Sequence, residues 1–197
     1  MKLNDLQRIA PLPDLGKYTI SEDFANLMIN EIIMRRPLKI VEAGSGVSTV
    51  LIGYCMRFLG QGSLCSLEHL EHYQKDTIRL IKHHKLQDLD IKVHFSPLKN
   101  YDVNNKIFPW YSLSSFDHSQ KIDMLIIDGP PRITGKLARY PALPLLYKQL
   151  SESAVIFLDD TKRIDETEIL RLWCNEYPNL KIKLFNTQKG AALIKTC

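Results

Sequence analysis

LKIVEAGSGVSTVLIGYCMRF, residues 38–58, decides the fold. A short apolar run over 38–43 has the length of a buried strand, and Gly44-Ser45-Gly46 breaks it. Residues 48–59 then place Leu51, Tyr54, Cys55 and Phe58 on one helical face. A strand that turns through glycine directly into a helix is the first half of a strand–helix–strand unit.

The same alternation continues on both sides. Upstream, Ser21 reads as an N-cap with Glu22 and Asp23 in the first helical turn, and Phe24, Leu27, Met28 and Ile32 form the apolar face. That helix ends near Arg35 and Arg36, before Pro37. Residues 1–20, with Pro11, Pro13 and Gly16, read as an irregular arm, so residues 1–36 form an arm and helix packed on a domain spanning 37–197. Downstream, SLCSLE (63–68), IKVHF (91–95), IDMLIID (122–128) and AVIFLD (154–159) read as further strands. Between them lie a helix marked by Tyr73, Thr77, Leu80, Ile81 and His84, a long connection over 97–120, a helix over 141–150 and another marked by Ile169, Leu170, Trp173 and Tyr177. LKIKLF and AALIKT close the chain as a pair joined by Asn186 to Gly190, too short for a crossover helix and therefore antiparallel. Near-continuous apolar strands separated by helices give a doubly wound α/β sheet, mostly parallel, with helices on both faces and an antiparallel C-terminal strand.

Composition narrows the function. The chain has 197 residues, 45% of them hydrophobic and 24% charged, as in an ordinary globular domain. No apolar run approaches the roughly 20 residues of a membrane-spanning helix, and the N-terminus lacks a secretion-signal core. Cys55, Cys65, Cys174 and Cys197 are scattered without zinc or disulfide spacing, and a cytoplasmic location is expected. The net charge of +4 is spread along the chain, with no nucleic-acid stripe, and the sequence assigns no oligomeric state.

Four of the buried strands end in carboxylates: Glu42, Glu68, Asp128 and the pair Asp159–Asp160. Such an acid often caps the next helix. In an open α/β sheet, however, strand carboxyl ends also line the ligand crevice, and acids at four of them suit a ligand rich in hydroxyl or ammonium groups, or a cation. Gly44 and Gly46 permit positive φ and close approach of a ligand to the backbone. Thr49 stands where a dinucleotide fingerprint carries its third glycine, and Glu42 would repel a pyrophosphate while favouring positive charge.

With these residues in view, VEAGSGVST resembles motif I of the class I S-adenosylmethionine (SAM)-dependent methyltransferases. Glu68 matches the acid ending their second strand, and IDMLIIDGPP resembles their motif IV. The combination ISEDF, EAGSGVSTV, SLEH, WY, DGPP, ARYPALPLL and LDDTKRIDE is similar to a bacterial methyltransferase-domain group. The resemblance implies a Rossmann-like fold and a SAM site drawn from Glu42, Gly44, Ser45, Gly46, Ser48, Thr49, Glu68, His69, Leu98 and Asp128. Glu68 would accept the ribose hydroxyls, Glu42 and the glycine turn the charged methionine end, and the segment Ser96 to Leu98 the adenine.

Methyl transfer is an in-line displacement in which an oxygen acceptor must lose a proton, to a base or through a metal that lowers its pKa. Asp128, Asp159 and Asp160 fall at neighbouring strand ends, resembling the catechol and macrocin O-methyltransferase branches, and as hard oxygen ligands they favour Mg²⁺ or Mn²⁺. Asp128, Asp159 and Lys162 are the catalytic candidates. Alternatively, Asp159 caps the next helix, Asp160 pairs with Arg163, Lys162 is solvated, and Glu166 is a capping-box partner. Arg132, Lys136 and Arg139 either hold an anionic group of the acceptor or are ordinary exposed charges. Trp110 and Tyr111 either stack on the acceptor or plug the core. His69 and His72 read as surface histidines, with His69 a candidate cofactor contact. The expected reaction is O-methylation of a small molecule or glycan. The competing readings are a nicotinamide-dependent oxidoreductase and a non-catalytic cofactor-binding protein.

Overall fold

In the computed structural model, which describes residues 20–196, alternation along each strand assigns side chains to two cores. The elements are α1 (Glu22–Arg35), β1 (Lys39–Ala43), α2 (Val47–Leu59), β2 (Ser63–Glu68), α3 (Glu71–His83), β3 (Ile91–Phe95), β4 (Leu98–Val103), β5 (Lys106–Tyr111), β6 (Ile122–Ile127), α4 (Ala142–Leu146), β7 (Leu150–Asp159), α5 (Ile164–Glu176), β8 (Lys181–Phe185) and β9 (Ala191–Lys195). Ile40, Leu64, Ile126 and Phe157 join α1, α2 and α3 on one face. Val41, Cys65, Leu125 and Ile156 join α4, α5 and the β4–β5 hairpin on the other. Both faces are thus covered, which is why the strands read as continuous apolar runs.

The strand order is β3-β2-β1-β6-β7-β9-β8. β1, β2, β3, β6 and β7 pair in parallel, while β9 runs antiparallel to β7 and β8. From β1 the chain winds outward through β2 and β3, then returns to β6 on the opposite side. The winding therefore reverses between β1 and β6, and the crevice at their carboxyl ends is where ligands bind in such sheets. Among the described residues, no helix is long and apolar enough to cross a membrane.

Several expectations need correction. The segment 97–120 is not a plain connection: β4 and β5 pair as an antiparallel hairpin, turning at Asn104 and Asn105 with φ of 55° and 61°. Two consecutive left-handed residues suit the twist of a two-residue hairpin turn, and asparagine tolerates that region. Phe58 is 64% exposed, because burial of α2 ends at Met56 and its last turn emerges from the core. Tyr73 is likewise exposed, while Thr77 and Ile81 are buried. The helix expected over 141–150 is shorter, α4 followed by a 3₁₀ turn at Tyr147–Gln149, and β7 begins already at Leu150. Ser21 holds the N-cap position of α1, but its hydroxyl donates to Asp23 Oδ1 (2.6 Å) and caps no backbone N–H. The arm assigned to residues 1–20 lies outside the described residues except for Ile20, which is buried.

Candidate functional site

Gly44 and Gly46 have φ of 117° and 141°, so the chain turns from β1 into α2 along a path that residues with a Cβ rarely follow. Beneath this turn Glu42 is 1% exposed and accepts three side-chain hydrogen bonds. Ser48 Oγ donates to its Oε1, while Thr49 Oγ1 (2.7 Å) and Ser66 Oγ (2.6 Å) donate to Oε2. Thr49 Oγ1 in turn accepts the Gly46 N–H at 3.0 Å. Burial pushes the Glu42 carboxyl up to about 7 despite the hydroxyls of Ser48, Ser66 and Thr49, with Asp128 adding a smaller upward push. Glu42 therefore ties the glycine turn to β1 and β2.

Glu68, at the end of β2, is also buried. Its Oε2 accepts Ser45 Oγ at 3.0 Å, its Oε1 accepts the Leu70 N–H at 2.9 Å, and His69 Nδ1 lies 3.1 Å from Oε1. Burial alone would raise the carboxyl, but these neighbours, His69 foremost, hold it below its usual range. Ser45 Oγ also lies 3.0 Å from Thr77 Oγ1 of α3, so one hydroxyl connects turn, acid and helix.

The β4–β5 hairpin begins at this rim. Ser96, buried before β4, donates its N–H to Glu68 O at 2.6 Å. Leu98, half-buried, pairs with Tyr111 across β4–β5. Trp110 and Tyr111 are 0% and 1% exposed, so both fill the core beneath the crevice. The Tyr111 ring stands edge-on to His69, centroids 5.8 Å apart, and its hydroxyl lies against Gly129, where an added Cβ would come within 2.1 Å.

Across the switch point, the Asp128 and Gly129 N–H groups both donate to Ala43 O, at 3.1 and 2.8 Å. This fastens the end of β6 to the base of the glycine turn. Asp128, Asp159 and Asp160 each bring one carboxylate oxygen within 4.8 Å of the others. Asp159 and Asp160 are buried, while the Asp128 side chain keeps 32% exposure. Asp160 has a φ of 63°, a left-handed conformation that aspartate adopts more readily than most residues. Burial, then Asp128 and Asp160, push Asp159 up to about 7. Burial also raises Asp128, opposed chiefly by Arg139.

Arg139 is not an exposed charge. It is 3% exposed, and its Nη2 lies 2.7 Å from Asp160 Oδ2 and 3.3 Å from Asp128 Oδ1. The pairing of Asp160 with Arg163 is present, Nη1 to Oδ2 at 2.7 Å. Asp159 does not cap α5, which starts at Ile164 with Arg163 in the N-cap position. Glu166 serves the charge cluster, 3.8 Å from Arg139 Nε and 3.9 Å from Arg163 Nη1. Lys162 Nζ bonds Gln188 O at 3.3 Å, over the β8–β9 turn. Arg132, 3.9 Å from Asp165, and Lys136 are both exposed. His72 packs against Tyr73. Sequence reasoning missed Ser66 and Thr77. Ser66 sits two residues before Glu68 and opposite Glu42 in register, a signal that appears only once β1 and β2 are aligned.

Residues 41–161 match the family model described as a methyltransferase domain. No curated protein sequence matches the chain. Among solved structures it is similar to an O-methyltransferase of Bacillus cereus in complex with SAH, at 16% identity and a TM-score of 0.68, covering 98% of this chain and 88% of that one. It is also similar to the O-methyltransferase TomG of Streptomyces achromogenes, involved in tomaymycin synthesis and in complex with SAM, at 15% identity and a TM-score of 0.67, covering 96% and 85%. The SAH-bound methyltransferase PaMTH1 of Podospora anserina aligns at 17% identity and a TM-score of 0.65, covering 98% and 85%.

Proposed function

Because the chain belongs to the methyltransferase-domain family and is a class I SAM-dependent methyltransferase, we propose that it moves the SAM methyl group to an oxygen of a small molecule or glycan. That family membership sets aside the nicotinamide oxidoreductase. The reaction is in-line: the acceptor oxygen forms a bond to the methyl carbon as the carbon–sulfur bond breaks, giving a methyl ether, SAH and a proton.

The observation that supports this reading is the distribution of acids around one switch point. Glu68 is held ionised by its hydrogen bonds and accepts the two ribose hydroxyls. Gly44, Ser45 and Gly46 give the methionine end close access to the backbone, while Glu42, with Ser48 and Thr49 turned onto it, adds a compensating negative charge beneath the sulfonium. His69 and Leu98 border the adenine side. Asp128, the least buried acid of its cluster, stands on the far side of the glycine turn, where it receives the acceptor's proton. Arg132 and Lys136 follow it in the chain and suit an acceptor bearing acidic groups. We place the reaction in the cytoplasm, where Cys55, Cys65 and Cys174 stay free thiols.

The Asp128, Asp159 and Asp160 set fits a hard divalent cation. Among the described residues, both oxygens of Asp159 and the Oδ1 of Asp160 are buried without a hydrogen-bond partner. Buried carboxylates left so call for a cation or a proton. Mg²⁺ or Mn²⁺ held there would act as a Lewis acid on the acceptor oxygen.

Calorimetry with SAM and SAH, followed by a labelled-methyl assay on hydroxylated small molecules and oligosaccharides with and without Mn²⁺, tests the proposal. Binding of SAH with the label appearing as a methyl ether is the expected result. A label found only on nitrogen would overturn the oxygen acceptor, and turnover indifferent to chelator would overturn the metal.

A further inference from the structure

We propose that Arg139 is the built-in cation of the strand-end carboxylate cluster, a positioning residue that holds the acids together without any bound ion. The cluster gathers Asp128 after β6, Asp159 and Asp160 at the end of β7, and Glu166 in the first turn of α5. Opposing these four acids are the guanidiniums of Arg139 and Arg163, with Lys189 adding positive charge towards Asp128, so the acids remain in excess.

Arg139 reaches both strand ends, whereas Arg163 forms its ion pairs with Asp160 and Glu166. Its Nη2 donates to the Asp128 main-chain carbonyl and to Asp160 Oδ2 (2.7 Å), and lies 3.3 Å from Asp128 Oδ1. Its Nη1 donates to the Asp159 main-chain carbonyl at 3.0 Å. One planar fork therefore fastens the carboxyl ends of two adjacent strands while orienting two of their acids. A lysine ammonium lacks the fixed spread of donors needed to do both. The fork takes the Oδ1 side of Asp128 and the Oδ2 side of Asp160. The other oxygen of Asp160, both of Asp159 and Oε2 of Glu166 are left without a hydrogen-bond partner among the described residues. The cluster is thus divided into a half satisfied by protein and an open half. Only the open half depends on the divalent-cation reading made above.

A physical consequence follows. With Arg139 in place the cluster folds in the absence of metal. Without it, buried carboxylates face one another, and an external cation becomes part of what stabilises the fold.

Thermal unfolding of the full chain tests this with wild type, Arg139→Met, Arg139→Lys and the double variant Arg139→Met/Asp160→Asn, each in chelator and in MnCl2. Wild type should unfold cooperatively in chelator. Arg139→Met should melt lower by roughly 10 °C, and Mn²⁺ should raise its Tm by more than it raises that of wild type. Arg139→Lys, keeping the charge without the fork, should fall between. The double variant, which removes one acid with the arginine, should melt above Arg139→Met in chelator, and it carries the test if the single variant does not fold. Equal Mn²⁺ shifts in wild type and Arg139→Met, or a double variant no more stable than the single one, would overturn the proposal. If Mn²⁺ shifts Arg139→Met but leaves wild type unmoved, Arg139 keeps this role and the native metal site is what fails.

Discussion

Ser45 Oγ donates to Glu68 Oε2 at 3.0 Å, so the glycine turn leaving β1 is latched to the acid ending β2. The latch matters because, in the function proposed above, both partners serve the same ligand. A turn free to swing would present its backbone to the methionine end in many orientations, and a free Glu68 would present one oxygen at a time to the ribose. Joined through Ser45, and through it to Thr77 of α3, they form a preorganised edge that loses little entropy when the cofactor arrives.

Replacing Glu68 by Gln keeps its volume and removes the charged acceptor. SAH affinity should fall by ~1–3 kcal/mol, about 5- to 150-fold, the range for losing a charge-assisted hydrogen bond. Ser45→Ala removes only the latch and should cost less, about 1 kcal/mol. Titration calorimetry of both variants measures this, and Glu68→Gln binding SAH as tightly as wild type would show that the ribose is held elsewhere.

The Glu42 carboxyl sets a pH dependence. An unfolded chain ionises it near 4.5, the folded protein near 7, because burial disfavours the charge. Between those values the native state holds a proton that the unfolded state has released, so rising pH lowers stability across that window, and the loss is complete above about 7. A positively charged ligand reverses the preference by favouring ionised Glu42. Denaturant melts at pH 4.5, 6 and 8 should therefore show Glu42→Gln with a flatter profile than wild type. SAM, unlike a neutral nucleoside, should bind more tightly to wild type as pH rises through about 7. Parallel stability profiles for the two proteins would remove Glu42 as the titrating group.

How much of this could be read from residues alone follows from what each feature depends on. The strands 63–68 and 91–95 lie where the apolar runs between turn residues put them. The turn between β1 and α2 is legible because Gly44 and Gly46 answer a backbone demand that few residues meet. The β4–β5 hairpin escaped notice because β4 is largely polar and β5 contains Pro109. The Asn104-Asn105 pair, flanked by Tyr101, Val103, Phe108 and Trp110, was the signal available. Arg139 could not be placed from sequence. An arginine in RITGKLARY looks exposed until β6 and β7 are laid side by side and the acids at their ends surround it. The partners of Glu42 divide in the same way: Ser48 and Thr49 are close in sequence, whereas Ser66 reaches it only through strand register.

Gly129 and Tyr111 form a packing pair that can be tested apart from catalysis. A Cβ at position 129 would stand 2.1 Å from the tyrosine hydroxyl and 3.3 Å from Ala43 O. Gly129→Ala should destabilise the protein by about 1–3 kcal/mol through overpacking. Adding Tyr111→Phe removes the nearest atom and should recover part of that loss. A double variant no more stable than Gly129→Ala would assign the cost to the Ala43 carbonyl and the Tyr111 ring carbon, both 3.3 Å from the added Cβ.

Asp159 gives the sharpest separation between a structural acid and a metal ligand. It is fully buried, neither oxygen has a hydrogen-bond partner among the described residues, and burial followed by Asp128 and Asp160 holds it up at about 7. A divalent ion can bind only the ionised form, so at pH 6 its arrival should expel a proton, and at pH 8 it should not. Calorimetry of Mn²⁺ binding in two buffers of different ionisation enthalpy counts that proton. The apparent heat should differ between buffers at pH 6 and converge at pH 8. Asp159→Asn should lower Mn²⁺ affinity by at least about tenfold, the lower end for losing a charged ligand, and abolish the buffer dependence while leaving SAH affinity within about twofold of wild type. Unchanged Mn²⁺ affinity in Asp159→Asn would mean that the ion is held without Asp159, and that Asp159 is a buried acid holding its own proton.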